Sequence, residues 1–420
     1  LVVLLEGRRK VVVPDGATVE LGLVDGDLLV GWDAVIRGEG TPPRVVVKGV
    51  AKFKGDCTVQ ANLEARRVEC RNGDLEVAGD LRAKTRIRIK HGSLSVSGSL
   101  EADVVDVDRK LIVKGKAEVR EASVGGNLES FSEFRADSIS VGGTLIAHGP
   151  LRARKVSVGG VARLAGEVEI EELDVGGHAS LAGGQVGKVD VGGSLEASGG
   201  LVFNDIDVGG SVVLAGGKGG DIDVGGILVS KGPLESFGSI NVGGRVELQG
   251  PSRGQAISVG GSLRVDGDLE LASSLKVGGT ARIAGRLLAS SISVGGELRA
   301  EEVRAIDSIK VGGLLSAPGG IRARYVEVGH RGRIEGPVRA REVRVRSRAR
   351  VEDIWADDIT LEERSRARNL YGRWIYIERG CVVSGEVKYV DELVVEEHVK
   401  LAREPEKVER PEDIGLGEAT

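Results

Sequence analysis

Apolar and polar residues alternate along most of this chain in short runs that end on small residues. In the blocks 262–267, 268–273 and 274–279 the second and fourth positions are apolar: Leu263 and Val265, Leu269 and Leu271, Leu275 and Val277. A period of two is strand periodicity, with one face apolar and the other polar. Strands this short, separated by glycine or serine, turn a corner about every six residues.

A longer period organises these runs. Val-Gly-Gly begins at Val124, Val141, Val158, Val175, Val191, Val208, Val224, Val242, Val259, Val277, Val294 and Val311, and Val328-Gly329-His330 is a variant copy. The steps are 16 to 18 residues, with a mean of 17. Val107 extends the series upstream, and Val345, Leu361, Ile377 and Val395 extend it downstream. Val13, Val30 and Val47 are also 17 apart. Residues 48–90 break step, as if about six residues were inserted around Asp56-Cys57-Thr58.

Three sides of five or six residues close one coil of 17. A helix would lose about 1 kcal/mol per glycine relative to alanine. Hairpins would reverse direction, whereas a strict period returns the same residue to the same place. The predicted fold is therefore all-β: a single-stranded parallel β-helix (β-solenoid), three-sided, about 17 residues per coil, with about six inward side chains in each. Gly125, Gly126, Gly142, Gly143, Gly159, Gly160, Gly278 and Gly279 are read as structural corner glycines, required by a positive φ or by close backbone approach. A phosphate-cradling loop needs one glycine-rich turn between a strand and a helix. Residues 1–45 are expected to form an N-terminal cap and the first coils, with a loop at 38–43. A continuous β-helix is expected over 46–401, and a charged, disordered tail over 402–420.

Composition narrows the picture. Glycine is 65 of 420 residues and the aromatic residues number 12, fewer than a compact core of this size would use. Ten prolines without a G-X-Y period exclude collagen. Charged residues at 29% and hydrophobic ones at 41% exclude a disordered chain. No apolar run approaches the ~20 residues of a spanning helix. A net charge of −5 gives no global reason to expect nucleic acid. The apolar start, Leu1 to Leu5, is too short for a signal-peptide core, and the cysteine usage points to a reducing, cytoplasmic compartment. Cys57, Cys70 and Cys381 have no metal or disulfide spacing. Six Asn, four Gln and no Met, against many Arg and Glu, fit a thermophile.

The uninterrupted 17-residue coil resembles the bactofilins, the polymer-forming cytoskeletal proteins. The resemblance lies in aliphatic pairs ending in glycine, such as Ile292-Ser293-Val294-Gly295-Gly296-Glu297-Leu298 and Ala281-Arg282-Ile283-Ala284-Gly285, and covers roughly residues 50–400. It implies a right-handed β-helix without nucleotide or metal, end-to-end assembly into non-polar filaments, and a membrane-touching N-terminal tail. Bactofilin cores are much shorter than this chain.

Candidate chemistry is sparse. The histidines, at 91, 148, 178, 330 and 398, are scattered over many coils, which argues against a hexapeptide-type acyltransferase. Asp205/Asp207 and Asp221/Asp223 read as a solvated face, with a Ca²⁺-binding carboxylate ladder as the alternative. Arg344, Arg346, Arg348 and Arg350 alternate with apolar residues and face outward. They form a strip suited to an acidic partner or to a salt-bridged surface. Trp355, Tyr371, Trp374, Tyr376 and Tyr389 either fill the last coils or, if exposed, mark an interface. Candidate interface residues are Trp355, Trp374, Tyr376, Arg344, Arg346 and Arg348; no catalytic, cofactor or metal residues are assigned. The functional expectation is a non-enzymatic, rigid β-helical rod that self-assembles into filaments or a scaffold, partnered by itself end-to-end with lateral contact as a further option, without nucleic acid or a small-molecule substrate. The alternative is a cell-surface or carbohydrate-contacting rod.

Overall fold

A computed structural model describes residues 3–4, by backbone alone, and 10–416. Two compact units divide the chain, one ending at Gly210 and the other beginning at Ser211. Both are β-solenoids of parallel stacked strands with about 17 residues per turn, and the described residues hold a single short 3₁₀ helix, Pro411–Ile414.

The burial order within a turn gives its sides. In Ala117–Val124 the side chains run in, out, in, out, out, in, out, in. The two consecutive outward residues, Arg120 and Glu121, mark a corner inside a continuous strand. Asn127–Ser130 supplies the third side. The same division recurs in Leu151–Val158 with Val161–Leu164, and in the second unit in Val338–Val345. All six residues expected to point inward from 263 to 277 are buried.

The valine column is a true stack. In the first unit Val107, Val124, Val141, Val158, Val175, Val191 and Val208 pair in succession. In the second, Val311, Val328, Val345, Leu361, Ile377 and Val395 do the same.

The corner glycines owe their identity to close approach rather than to left-handed backbone. Gly160 donates its N–H to Gly143 O at 3.1 Å, and a Cβ on Gly160 would lie 2.7 Å from that same oxygen. In the second unit a Cβ on Gly279 would lie 2.5 Å from Gly261 O. Cβ atoms at Gly125, Gly126, Gly142, Gly143, Gly159 and Gly278 would likewise strike the turn below. Where the glycine pairs are absent, other devices turn the corner. Asp74 Oδ1 accepts from Ser93 N at 2.7 Å, and Asp80 Oδ1 from Ser99 N at 2.7 Å. In the last turns the corner holds Arg331, Arg348, Arg364, Gly380 and His398, all with φ between 57° and 70°.

Two expectations are corrected. The inserted residues are not at Asp56-Cys57-Thr58. Val30 pairs with Phe53, 23 residues on, and Phe53 pairs with Cys70 at the normal step of 17. Most of the excess is the loop 39–43, closed by Arg44 N donating to Glu39 O at 3.0 Å, and the longer steps from Cys70 to Ile89 and from Ile89 to Val107 add the rest. Val47 stacks on Val24, in a different column. Residues 402–416 are also not a disordered tail. Glu406–Lys407 pairs with Lys388 and Tyr389, the chain doubles back, and Ile414 is buried. A backbone ladder and one apolar anchor outweigh the local charge density. Residues 417–420, and the N-terminal membrane contact expected before residue 10, lie outside the described residues apart from the backbone of Val3–Leu4.

Candidate functional site: the C-terminal turns

Period-17 arithmetic applies to outward residues as well as inward ones. Arg322, Arg339, Trp355, Tyr371, Lys388 and Glu406 form one outward column. The Arg339 guanidinium lies over the Trp355 ring at 5.0 Å, and Trp355 stacks on Tyr371 with centroids 5.0 Å apart. Arg339 Nη1 donates to Gly415 O at 2.9 Å, which pins the returning C-terminal segment beside Trp355. Trp355 is thus half-buried against its own chain. Sequence reasoning missed this strap; its signal was the apolar Ile414 in a segment rich in charge.

Trp374 and Tyr376 do not fill the bore. They point outward, 40% and 38% exposed. Arg373 lies over the Trp374 ring at 4.5 Å, and the Tyr376 hydroxyl donates to Glu396. Tyr376 is followed in its column by Val394, 40% exposed.

The arginine strip is largely neutralised within the chain. Arg344 Nε meets Glu362 Oε1 at 2.9 Å, and Arg346 bridges Glu327 at 2.7 Å and Glu362 at 3.1 Å. Arg348 sits at an exposed left-handed corner, φ 61°. The structure therefore gathers Trp374 and Tyr376 near the final turn, and sets Arg344 and Arg346 into an ion-pair network two turns earlier.

That final turn is incompletely covered. Leu393 and Val395 end two inward columns, above Ile375 and Ile377, which are buried. Leu393 is half-buried and Val395 is 41% exposed. The next strand pairs only with Lys388 and Tyr389, so among the described residues 391–395 have no strand on their outer edge. At the other terminus Thr18–Leu21 pairs only with Ala34–Gly38 among the described residues, and Val19 and Leu21 are half-buried.

The remaining candidates stay dispersed. Asp221 Oδ1 accepts from Ser239 N at 2.6 Å and Ser239 Oγ at 2.9 Å, which lowers its pKa, and Asp223 accepts from Asn241 Nδ2 at 2.8 Å. These carboxylates serve the turn above. His178 and His330 each lie 2.8 Å from a serine hydroxyl, Ser194 and Ser347, in the next turn. Among the described residues no group of three or more His, Cys, Asp or Glu is placed to hold a metal. No helix among them is long and apolar enough to cross a membrane.

The three thiols are buried, and burial raises the pKa of each, that of Cys70 to about 12. A thiol reacts as its thiolate. Titration of the native protein with a disulfide reagent at pH 8 is expected to modify none of the three, and denaturant to release all. Fast labelling of any of them would contradict their burial.

Compared with models of protein families, with curated proteins and with solved structures, the chain matches none of them.

Proposed function

We propose that this is a non-enzymatic structural protein whose β-solenoid self-associates through its ends into filaments or a scaffold, as its resemblance to bactofilins implies. The carrying observation is the open edge at 391–395. An unpaired parallel strand presents a row of free N–H and C=O groups and templates another chain. Natural edges are blunted with lysine, proline or a covering loop. Here the edge begins with Asp391 and Glu392 but continues as Leu393, Val394 and Val395, and the covering strand stops short of these three. Trp374 and Tyr376 flank the same end and supply residue types favoured at interface centres. The partner in this reading is a second copy, in the cytoplasm, without cofactor, nucleic acid or small-molecule substrate.

The test is negative-stain microscopy with sedimentation of the full chain and of a Leu393→Lys, Val395→Lys variant. Wild-type protein is expected to form elongated assemblies that grow with concentration. The variant is expected to stay dispersed with an unchanged unfolding midpoint, because both side chains are already part-solvated. Wild-type protein that remains monomeric at all salts and concentrations would overturn the proposal.

A further inference from the structure

A second surface, in the first unit, carries a charge pattern that a single chain pairs only in part. Two outward columns run along six consecutive turns. The first is Arg82, Glu101, Glu118, Arg135, Arg152 and Glu169, in direct register. The second stands two residues further along each turn: Lys84, Asp103, Arg120, Asp137, Arg154 and Glu171. All twelve are exposed. A shallow furrow of about 1210 Å³ runs between the columns, floored by small inward residues such as Ala83, Ala102 and Ala153.

The signs are + − − + + − in the first column and + − + − + − in the second. Read backwards, each column becomes its own opposite. Two copies of this face, related by a two-fold axis perpendicular to the stack and passing between the turns of Arg120 and Asp137, therefore meet with every charge opposed. Arg82 faces Glu169, Glu101 faces Arg152, and Glu118 faces Arg135. In the second column Lys84 faces Glu171, Asp103 faces Arg154, and Arg120 faces Asp137. The flanking turns add no conflict, since Glu64 would meet Gln185 and Arg66 would meet Gly187.

The within-chain arrangement points the same way. Like charges directly opposite on neighbouring strands are unfavourable. The first column nevertheless holds Glu101 beside Glu118 and Arg135 beside Arg152. These two contacts are placed symmetrically about the two-fold position. Glu133 already lies 2.7 Å from Arg135 and 3.7 Å from Arg152, so within one chain the uncompensated contact is that of Glu101 with Glu118, which the facing copy relieves. Some of the charges do pair internally, as in Arg82–Glu101 at 2.9 Å and Arg154–Asp137 at 3.7 Å. Lys84, Asp103, Glu118, Arg120 and Glu171 have no ion-pair partner among the described residues. A parallel arrangement of the same faces fails. It would oppose Arg82 to Lys84, Glu101 to Asp103, Arg152 to Arg154 and Glu169 to Glu171.

We infer that this face is an isologous, antiparallel docking surface for a second copy of the chain. Charge complementarity of this kind sets register and excludes wrong partners more than it adds raw affinity. Six turns at ~4.8 Å span about 30 Å, which places the contact at the small, salt-labile end of protein interfaces. It uses none of the residues of the open edge at 391–395 and does not depend on end-on assembly.

Zero-length carbodiimide cross-linking of a mixture of ¹⁴N- and ¹⁵N-labelled full-length protein, read by mass spectrometry, tests it. Lys84 and Glu171 are five turns apart in one chain, about 24 Å, so a link between them arises only between copies. Mixed-isotope Lys84–Glu171 links are expected in about 0.05 M salt, and in about 1 M salt they should fall at least tenfold. Arg120→Glu alone and Asp137→Arg alone should each reduce the link at least tenfold. Mixing those two variants should restore it, because Glu at 120 of one copy then meets Arg at 137 of the other. That restoration also shows that both variants fold. If Lys84 links only to its neighbour Asp103, or if mixing fails to restore the link between variants with native unfolding midpoints, the inference is overturned.

Discussion

Replacing Gly160 by alanine is expected to destabilise the first unit by about 2–3 kcal/mol, although alanine is the smallest side chain available. The added Cβ would lie 2.7 Å from Gly143 O. That oxygen accepts from both Gly160 N and Val161 N, at 3.1 Å each, so moving it away weakens two bonds between turns. The neighbouring turns cannot yield, because Gly143 and Gly177 repeat the contact below and above. Gly200 is the control. A Cβ there meets nothing within 4 Å, and the residue is exposed. Gly200→Ala should therefore gain about 0.5 kcal/mol, by narrowing the unfolded ensemble. Urea unfolding midpoints of the two variants should move in opposite directions. Equal effects would mean that the glycine columns are not set by carbonyl contact.

The repeat was legible because its period is long and strict, and because Val-Gly-Gly marks one corner in turn after turn. Column membership downstream of Val107 follows from it by addition. Arithmetic failed where inward residues are plentiful. The strand Arg44–Phe53 offers Val45, Val47, Ala51 and Phe53 as buried positions, and Val47 happens to fall 17 after Val30. Only the hydrogen-bond register, which skips the loop 39–43, selects Phe53 as the partner of Val30. The outward face was legible in direction but not in partnership. Alternation placed Arg344 and Arg346 outside, yet their carboxylates, Glu327 and Glu362, lie 16 to 19 residues away. The period used for the core applies equally to such pairs. The returning tail was illegible for a different reason: composition describes the average tendency of a segment, and 402–416 is held by a two-residue ladder, Ile414 and one guanidinium.

Phe134→Ala should be among the most damaging single substitutions in the bore, at about 3–5 kcal/mol. Phe134 is fully buried and stands in an inward column between Ala117 and Leu151. A narrow bore admits a ring only where an adjacent turn is small, and Ala117 provides that space. The same compensation appears in the second unit, where a Cβ on Gly254 would strike the Phe237 ring. Truncating Phe134 leaves a cavity that the hydrogen-bonded turns on either side cannot collapse into. Phe131 is the contrast: it is 45% exposed and stacks on His148 at 4.8 Å, so Phe131→Ala should cost less than about 1 kcal/mol. If size is compensated along the column, Ala117→Leu alone should destabilise by overpacking. In the Phe134→Ala background the same change should recover part of the loss. Strict additivity of the two would show that the stacked turns pack independently and that the column is not the unit of the core.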